Sequence, residues 1–436
     1  MHHETDTIVA PITAPGRGAI AVVRLSGSKA VGIAREVFPS LPEKLEYRFA
    51  YYGDFVHGDD GLITVFAESA SYTGEESVEM SIHGSPASVQ SLVESCITYG
   101  ARLAEPGEFT LRAFMNGRID LSQAEGVRET IESVSLRQLE YANSMRSGEI
   151  NKEISLIREE LLAVLAAVEA QTDFSEEVGP LDIESCNAHL NSAISKMDQL
   201  LATQNAARVV RQGVRVALAG LPNAGKSSLL NALLKQDRAI VTEIPGTTRD
   251  TIEESVEISG ILVRLTDTAG VRDTSDPLEQ LGVERSRVAL RQAELILYLY
   301  DASKGITEED EKLLALLDRP VVRIGTKIDL GFPPVGEDLG ISIKTGAGLS
   351  DLVSAIENHI AVDNEAIFLL DRHYELLKPS KKAVEACLIT LNSVDTPSDL
   401  AAVELQQGIR LLGEITGETT PPDVIEQIFS RFCIGK

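Results

Sequence analysis

Residues Gly220 to Ser227 read Gly-Leu-Pro-Asn-Ala-Gly-Lys-Ser and fit the spacing G-x-x-x-x-G-K-[ST]. Gly220 and Gly225 permit a turn in which successive backbone N–H groups face a phosphate. Such a loop must be fed by a strand and left by a helix whose positive N-terminal end meets the same anion. The flanks comply: apolar Val214, Val216 and Leu218 precede the loop, and Ser228 to Lys235 has a helical pattern after it. Lys226 is then placed for the β- and γ-phosphates and Ser227 for magnesium, with Asn223, Ala224, Gly225 and Ser228 completing the phosphate-contacting set.

Four further stretches follow in the order that a nucleotide domain requires. Thr251 to Ile258 and Ile261 to Leu265 flank Ser259-Gly260 as a hairpin, which ends in Asp267-Thr268-Ala269-Gly270. An aspartate at the end of an apolar strand can hold magnesium, and the glycine after it can offer an N–H to the γ-phosphate. Between the loop and this hairpin, Gly246-Thr247-Thr248-Arg249-Asp250 supplies a threonine hydroxyl that could complete the magnesium shell. After the strand-like run Pro320 to Ile324 comes Thr326-Lys327-Ile328-Asp329, whose carboxylate can accept two N–H bonds from guanine but not from adenine. Ser342-Ile343-Lys344 falls where a second base-contacting loop is expected. Five elements in sequence identify a guanine-nucleotide domain of Ras-like type rather than an ATPase. Two positions depart from the Ras-like pattern. Thr326 stands where asparagine is usual, which keeps a hydroxyl, and Val271 stands where a glutamine would orient the attacking water. Glu279 could take over that task, or be a solvated carboxylate at a helix terminus.

At 436 residues the chain is too long for one core. Residues 1–118 read as short strands with glycine and proline turns, an α+β unit in which Val78, Met80 and Ile82 alternate with polar neighbours. Residues 119–210 are helical in texture, with Ile154, Ile157, Leu161, Leu165 and Val168 at three- and four-residue steps, and the texture returns in 362–436. The expected architecture is therefore a multidomain α/β protein: an α+β N-terminal domain, an all-α helical domain formed by 119–210 with 362–436, and a GTPase domain, 211–361, inserted between its halves. The 66 acidic against 40 basic residues, a net charge of -26, repel nucleic acid in general, so RNA contact should be local or shared with a basic partner. Four scattered cysteines fit a reducing cytoplasm. The absence of a signal pattern or of an apolar run of roughly 20 residues argues against a membrane location.

Specific stretches outside the nucleotide motifs then carry a family resemblance. These are Asp6-Thr7-Ile8-Val9-Ala10, Pro15-Gly16-Arg17-Gly18, Ser71-Tyr72-Thr73-Gly74-Glu75, Glu105-Pro106-Gly107-Glu108-Phe109-Thr110, Arg112-Ala113-Phe114, Asp120-Leu121-Ser122-Gln123-Ala124-Glu125 and Cys433-Ile434-Gly435-Lys436. Over essentially its whole length the chain resembles the tRNA uridine-modification GTPase family MnmE, also called TrmE. The resemblance implies a homodimeric GTPase that acts in the cytoplasm with an FAD-containing partner, MnmG (GidA), on C5 of the wobble uridine of certain tRNAs. The one-carbon unit would come from a reduced folate, 5,10-methylene- or 5-formyl-tetrahydrofolate, bound in the N-terminal domain by Arg24, Glu79, Arg118 and Lys436. Potassium would replace an arginine finger, held by Asn223 with oxygens of Thr242, Ile244 and Thr247, while Ser227 and Thr248 bind magnesium. Thr242-Glu243-Ile244-Pro245-Gly246-Thr247-Thr248 would line the nucleotide, and Glu279 matches the family's water-positioning glutamate. Cys433 could be a nucleophile toward C6 of uracil or a residue lining the folate. A ribosome-assembly GTPase that binds RNA without modifying it, and a GTP-dependent scaffold, share the nucleotide motifs and are the alternatives.

Overall fold

A computed structural model describes residues 6–174, 179–236, 253–267, 288–360, 367–393 and 398–436. Two compact units emerge, one drawn from residues 1–128, 144–198 and 372–436, the other from 129–143 and 199–371.

The alternation of Val78, Met80 and Ile82 becomes a strand near the middle of the first unit's sheet. Its strands are β1 (Ile8–Pro11), β2 (Ile20–Ser26), β3 (Ala50–Asp54), β4 (Asp60–Phe66), β5 (Ser77–His83) and β6 (Arg102–Leu103). They lie in the order β3-β4-β5-β2-β1-β6, antiparallel except for β1 beside β6. Helices α1 (Ala30–Val37) and α2 (Pro86–Thr98) close one face, where Ile33, Val37, Leu92 and Cys96 join Val23, Leu25, Ile63, Val65 and Met80 in one buried cluster. Helix α3 (Glu108–Met115) follows β6 and is fixed by charge as well as by Phe109. Arg112 Nη2 donates to Asp6 Oδ1 at 2.8 Å and to Glu108 Oε1 at 2.9 Å, and Arg112 Nη1 reaches Glu75 at 3.1 Å. Arg102 closes the network on Glu108 and Asp6, both at 2.7 Å. Several residues of the sequence signatures are thus committed to tying β1, the Ser71–Glu75 loop and α3 together.

The rest of this unit is helical. In the helix Glu149–Asp173 the buried residues Ile150, Ile154, Ile157, Leu161, Val164 and Val168 form one stripe; it matches the expected period except that Val164 takes the buried place expected of Leu165, which is half-buried. The stripe packs against the helix Ser398–Thr416, so segments from either side of the nucleotide motifs share a core. Helix α4 (Leu121–Glu132) is joined to the helix Asp371–Leu391 by buried charges. Arg372 donates to Glu125 Oε1 at 2.9 Å and Oε2 at 2.7 Å, and His373 Nε2 lies 2.8 Å from Oε2.

The second unit contains β7 (Val214–Ala219), β8 (Glu253–Ile258), β9 (Ile261–Asp267), β10 (Leu295–Asp301), β11 (Val321–Thr326) and β12 (Leu339–Gly340), in the order β12-β11-β10-β7-β9-β8. All neighbours are parallel except the β8–β9 hairpin. Its Ser259 and Gly260 both take positive φ, 51° and 80°, as a two-residue hairpin turn demands. Strand β10 is buried along almost its whole length, as a parallel strand covered on both faces should be. Residues 129–143 and 199–210, helical like the rest of 119–210, fall in this unit. Gln138 Nε2 donates to Arg211 O at 2.8 Å, and Arg137 N to Gly260 O in the hairpin turn at 3.1 Å. No helix among the described residues is long and apolar enough to cross a membrane.

Candidate functional site

The sheet of the second unit brings the ends of β7, β9, β10 and β11 to one edge. Leu218 pairs with Asp267, Tyr298 with Ala219 and Asp301 with Thr326. That is the edge at which parallel α/β sheets bind ligands. The chain leaves β7 through Gly220, φ +136°, where an added Cβ would lie 2.1 Å from the carbonyl oxygen of Leu299, so only glycine fits. Asn223 and Gly225 also take positive φ, 65° and 100°, and the helix Lys226–Gln236 begins at once. These positive φ values directly before a helix N-terminus are those that a phosphate-cradling loop needs.

Inside it, Lys226 Nζ donates to the carbonyls of Gly220 at 2.8 Å and Leu221 at 3.1 Å. Burial pulls this ammonium below the usual lysine range, with the charge of Asp267 opposing the shift. Phosphate oxygens would supply the negative charge that burial leaves it short of. Ser227 Oγ donates to Asp267 Oδ2 at 2.7 Å, while Asp267 Oδ1 is buried without a hydrogen-bond partner among the described residues. An adjacent hydroxyl and an unsatisfied carboxylate oxygen are hard oxygen donors of the kind that magnesium takes.

At the end of β11, Thr326 is 1% exposed and its hydroxyl lies 3.0 Å from the carbonyls of both Ala224 and Tyr300. It ties β11 to the phosphate loop, so the departure from asparagine keeps a mechanical link. Lys327, at φ 62°, pairs with Asp301 at 2.6 Å. Burial raises the Asp301 carboxyl, but hydrogen bonds from Lys327 and Ser303 outweigh it and hold the group below its ordinary value. Asp329 Oδ1 accepts from the buried Ser342 hydroxyl at 2.7 Å, which orients the carboxylate. Ile343 approaches the loop near Gly225, where an added Cβ would meet its Cδ1 at 3.6 Å.

The first unit gathers a second set. Arg24 and Glu79 are cross-strand partners on β2 and β5, joined at 2.7 Å, and the Arg24 guanidinium lies 5.2 Å from the Tyr72 ring centre and 5.5 Å from that of Phe109. The last residues dock here: Phe109 N donates to Lys436 O at 3.2 Å, and Gly435, φ 95°, sits where an added Cβ would be 2.1 Å from Pro11 O. Burial, then repulsion from Arg24 and Arg146, lowers the Lys436 pKa, with Glu79 opposing. Arg24, Glu79 and Lys436 are thus brought together. Arg118 is directed elsewhere, donating to the carbonyls of Ser69 at 3.2 Å and Ser71 at 3.3 Å. Tyr72 and Arg146 belong to the same surroundings and were not anticipated, because only the fold brings them beside β2. Cys433 is exposed, whereas Cys96, Cys186 and Cys387 are buried.

Family models match residues 7–118 as the N-terminus of the GTP-binding protein TrmE and residues 121–433 as the MnmE helical domain. The chain belongs to the MnmE family. It is 42% identical to the tRNA modification GTPase MnmE of Syntrophotalea carbinolica, covering 99% of each chain. It is 40% identical to the protein of the same name from Aquifex aeolicus, covering 99% of this chain and 100% of that one. Among solved structures, Era from Aquifex aeolicus bound to GDP and aluminium fluoride is 27% identical, with 42% of this chain and 69% of that chain covered and a TM-score of 0.29.

In this member of the MnmE family, the described residues thus bring together a glycine-rich loop with Lys226, a Ser227–Asp267 pair, an Asp329–Ser342 pair and a cationic cluster. The remaining expected site residues, Thr242, Glu243, Ile244, Pro245, Gly246, Thr247, Thr248, Thr268, Ala269, Gly270 and Glu279, lie outside the described residues.

Proposed function

We propose that the chain is a potassium-activated GTP hydrolase that works, as a cytoplasmic homodimer and with the FAD-containing partner MnmG, in modifying C5 of the wobble uridine of tRNA. Family membership supports the GTPase and tRNA part of this reading. The observation that carries the chemistry is the pairing of Ser227 with Asp267 beside Lys226 at the mouth of the phosphate loop. On this reading the loop N–H groups and Lys226 bind the β- and γ-phosphates, and Asp329 with Ser342 to Lys344 selects guanine. Ser227 and Thr248 would hold magnesium, which neutralises phosphate charge. Asn223, Thr242, Ile244 and Thr247 would hold potassium, which stabilises charge developing in the transition state as an arginine finger does, worth roughly 10³ to 10⁵ in rate. Glu279 would orient the attacking water.

In the N-terminal domain, taken as residues 1–118, Arg24 and Lys436 suit the anionic tail of a reduced folate, and Glu79 suits the donor edge of its pterin. Residues 119–210 and 362–436 would form the helical domain around a GTPase domain at 211–361. The test is nucleoside analysis of tRNA from a strain lacking the gene, complemented with this chain. Restored wobble-uridine modification, lost again in Lys226→Ala, is the expected result. Growth rescue without restored modification would favour a ribosome-assembly role instead.

A further inference from the structure

At the end of β5 remote from the last residues of the chain, three metal-ligating side chains converge. The register Leu62 to Ser81 carries Asp60 on β4 to the level of His83 on β5, and Asp59 ends the preceding turn. His83 Nδ1 lies 2.6 Å from Asp59 Oδ1 and 4.0 Å from Asp60 Oδ1, and the candidate donor atoms all fall within 4.8 Å of one another. Zinc bonds of about 2.0–2.2 Å to nitrogen and oxygen set donor-to-donor separations of roughly 3.3–3.5 Å. The observed spacings bracket that range, so a small side-chain adjustment would seat an ion.

The orientation of the two carboxylates separates this cluster from an ordinary surface ion pair. Each has its outer oxygen occupied by a hydroxyl: Ser88, in the first turn of α2, donates to Asp59 Oδ2, and Tyr52 Oη donates to Asp60 Oδ2 at 2.7 Å. Both inner Oδ1 atoms are left facing His83. Asp60 N donates to Asp59 Oδ1 at 3.0 Å and holds it in place. Because Ser88 gives its proton to Asp59, its oxygen accepts from His57 Nε2 at 3.2 Å, and His57 Nδ1 is buried without a partner among the described residues. Hydrogen bonds that hold the ligating carboxylates in place are part of the usual supporting shell of a metal site. The mouth is open, since the His83 side chain is 67% exposed.

We propose that Asp59, Asp60 and His83 form a binding site for a borderline divalent cation of the zinc class, with water completing its shell. One imidazole with two carboxylates suits zinc better than magnesium or calcium, which favour oxygen alone. His83 lies four positions along the strand from Glu79, roughly 13 Å, so the site is distinct from the candidate folate set. An ion here would pin β4, β5 and the start of α2 to one another.

The full chain, stripped with EDTA and kept in magnesium and GDP to occupy the phosphate loop, would be titrated with zinc chloride against a chromophoric chelator. Cobalt chloride would serve as the spectroscopic probe of imidazole coordination. The wild type should show one site that His83→Ala lacks, and Tyr52→Phe should weaken it by roughly 10- to 100-fold. Asp60→Asn replaces His83→Ala should that variant not fold, as judged by circular dichroism. No zinc bound by the wild type, or the same stoichiometry and affinity in His83→Ala, overturns the proposal. Loss in His83→Ala with no change in Tyr52→Phe supports the ligands and overturns only the positioning role of Tyr52.

Discussion

The hydroxyl of Thr326 is shared between two carbonyls, one in the phosphate loop and one at the end of β10. Removing it with little change of shape, as in Thr326→Val, withdraws that buried hydroxyl from both carbonyls and should cost about 1 kcal/mol. The expected outcome is a lower melting temperature and weaker GDP binding, checked by calorimetry; unchanged GDP affinity would mean that the tether does not shape the loop. Cys433 makes a second test. It is the exposed one of four cysteines, and burial pushes the thiol of Cys96 up to about 12, so a maleimide should label native protein once, at Cys433. Labelling of two or more sites, read by mass spectrometry, would contradict the packing described. Side-chain identity points to candidate nucleotide residues, because that chemistry is local to short motifs. It could not show that Arg118 spends its donors on the Ser69 and Ser71 carbonyls, or that Tyr72 and Arg146 stand near Arg24 and Lys436. Those placements depend on residues far apart in the chain.

Helix α4 meets the helix Asp371–Leu391 through a carboxylate that is almost wholly buried. Burial opposes ionisation of Glu125, but His373 and then Arg372 outweigh it and hold its carboxyl down to about 2. A carboxyl depressed in the folded state gives stability that is present above its unfolded pKa and lost as pH falls through the folded value. The contribution should therefore disappear between about pH 4.5 and pH 2. Glu125→Gln leaves Arg372 and His373 facing a neutral partner and should destabilise the first unit by about 3–5 kcal/mol at neutral pH. It should also flatten the acid limb of the unfolding curve, measured by denaturant melts across pH. A curve as steep as the wild type's would place the acid sensitivity elsewhere. Long periodic elements were readable from the sequence: the stripe of Glu149–Asp173 apart from Leu165, the alternation of β5 and the Ser259-Gly260 turn all match. The pieces β3, β6, α1 and α3 were not singled out; β6, with two residues, carries no period at all. In α3 much of the stabilisation comes from Arg102, Asp6 and Glu75, distant in the chain or outside the helix.

The molecule as a whole carries a net charge of -26, which opposes binding to a polyanion. A tRNA partner therefore needs a second protein or a local basic patch, and tRNA bound by this chain alone should be weak at physiological salt. Tight binding in a filter assay without the partner would contradict that division of labour. The arrangement of helical segments on both sides of the nucleotide motifs was readable as texture, because apolar periodicity survives interruption by an inserted unit. Where the two units divide was not, since residues 129–143 and 199–210 have the same helical composition as their neighbours. The central claim is that this phosphate loop works with a monovalent cation, and steady-state GTP hydrolysis in potassium chloride and in sodium chloride at matched ionic strength tests it most directly. The account predicts stimulation by potassium of roughly 10-fold or more that disappears in Asn223→Ala; equal rates in the two salts would contradict it.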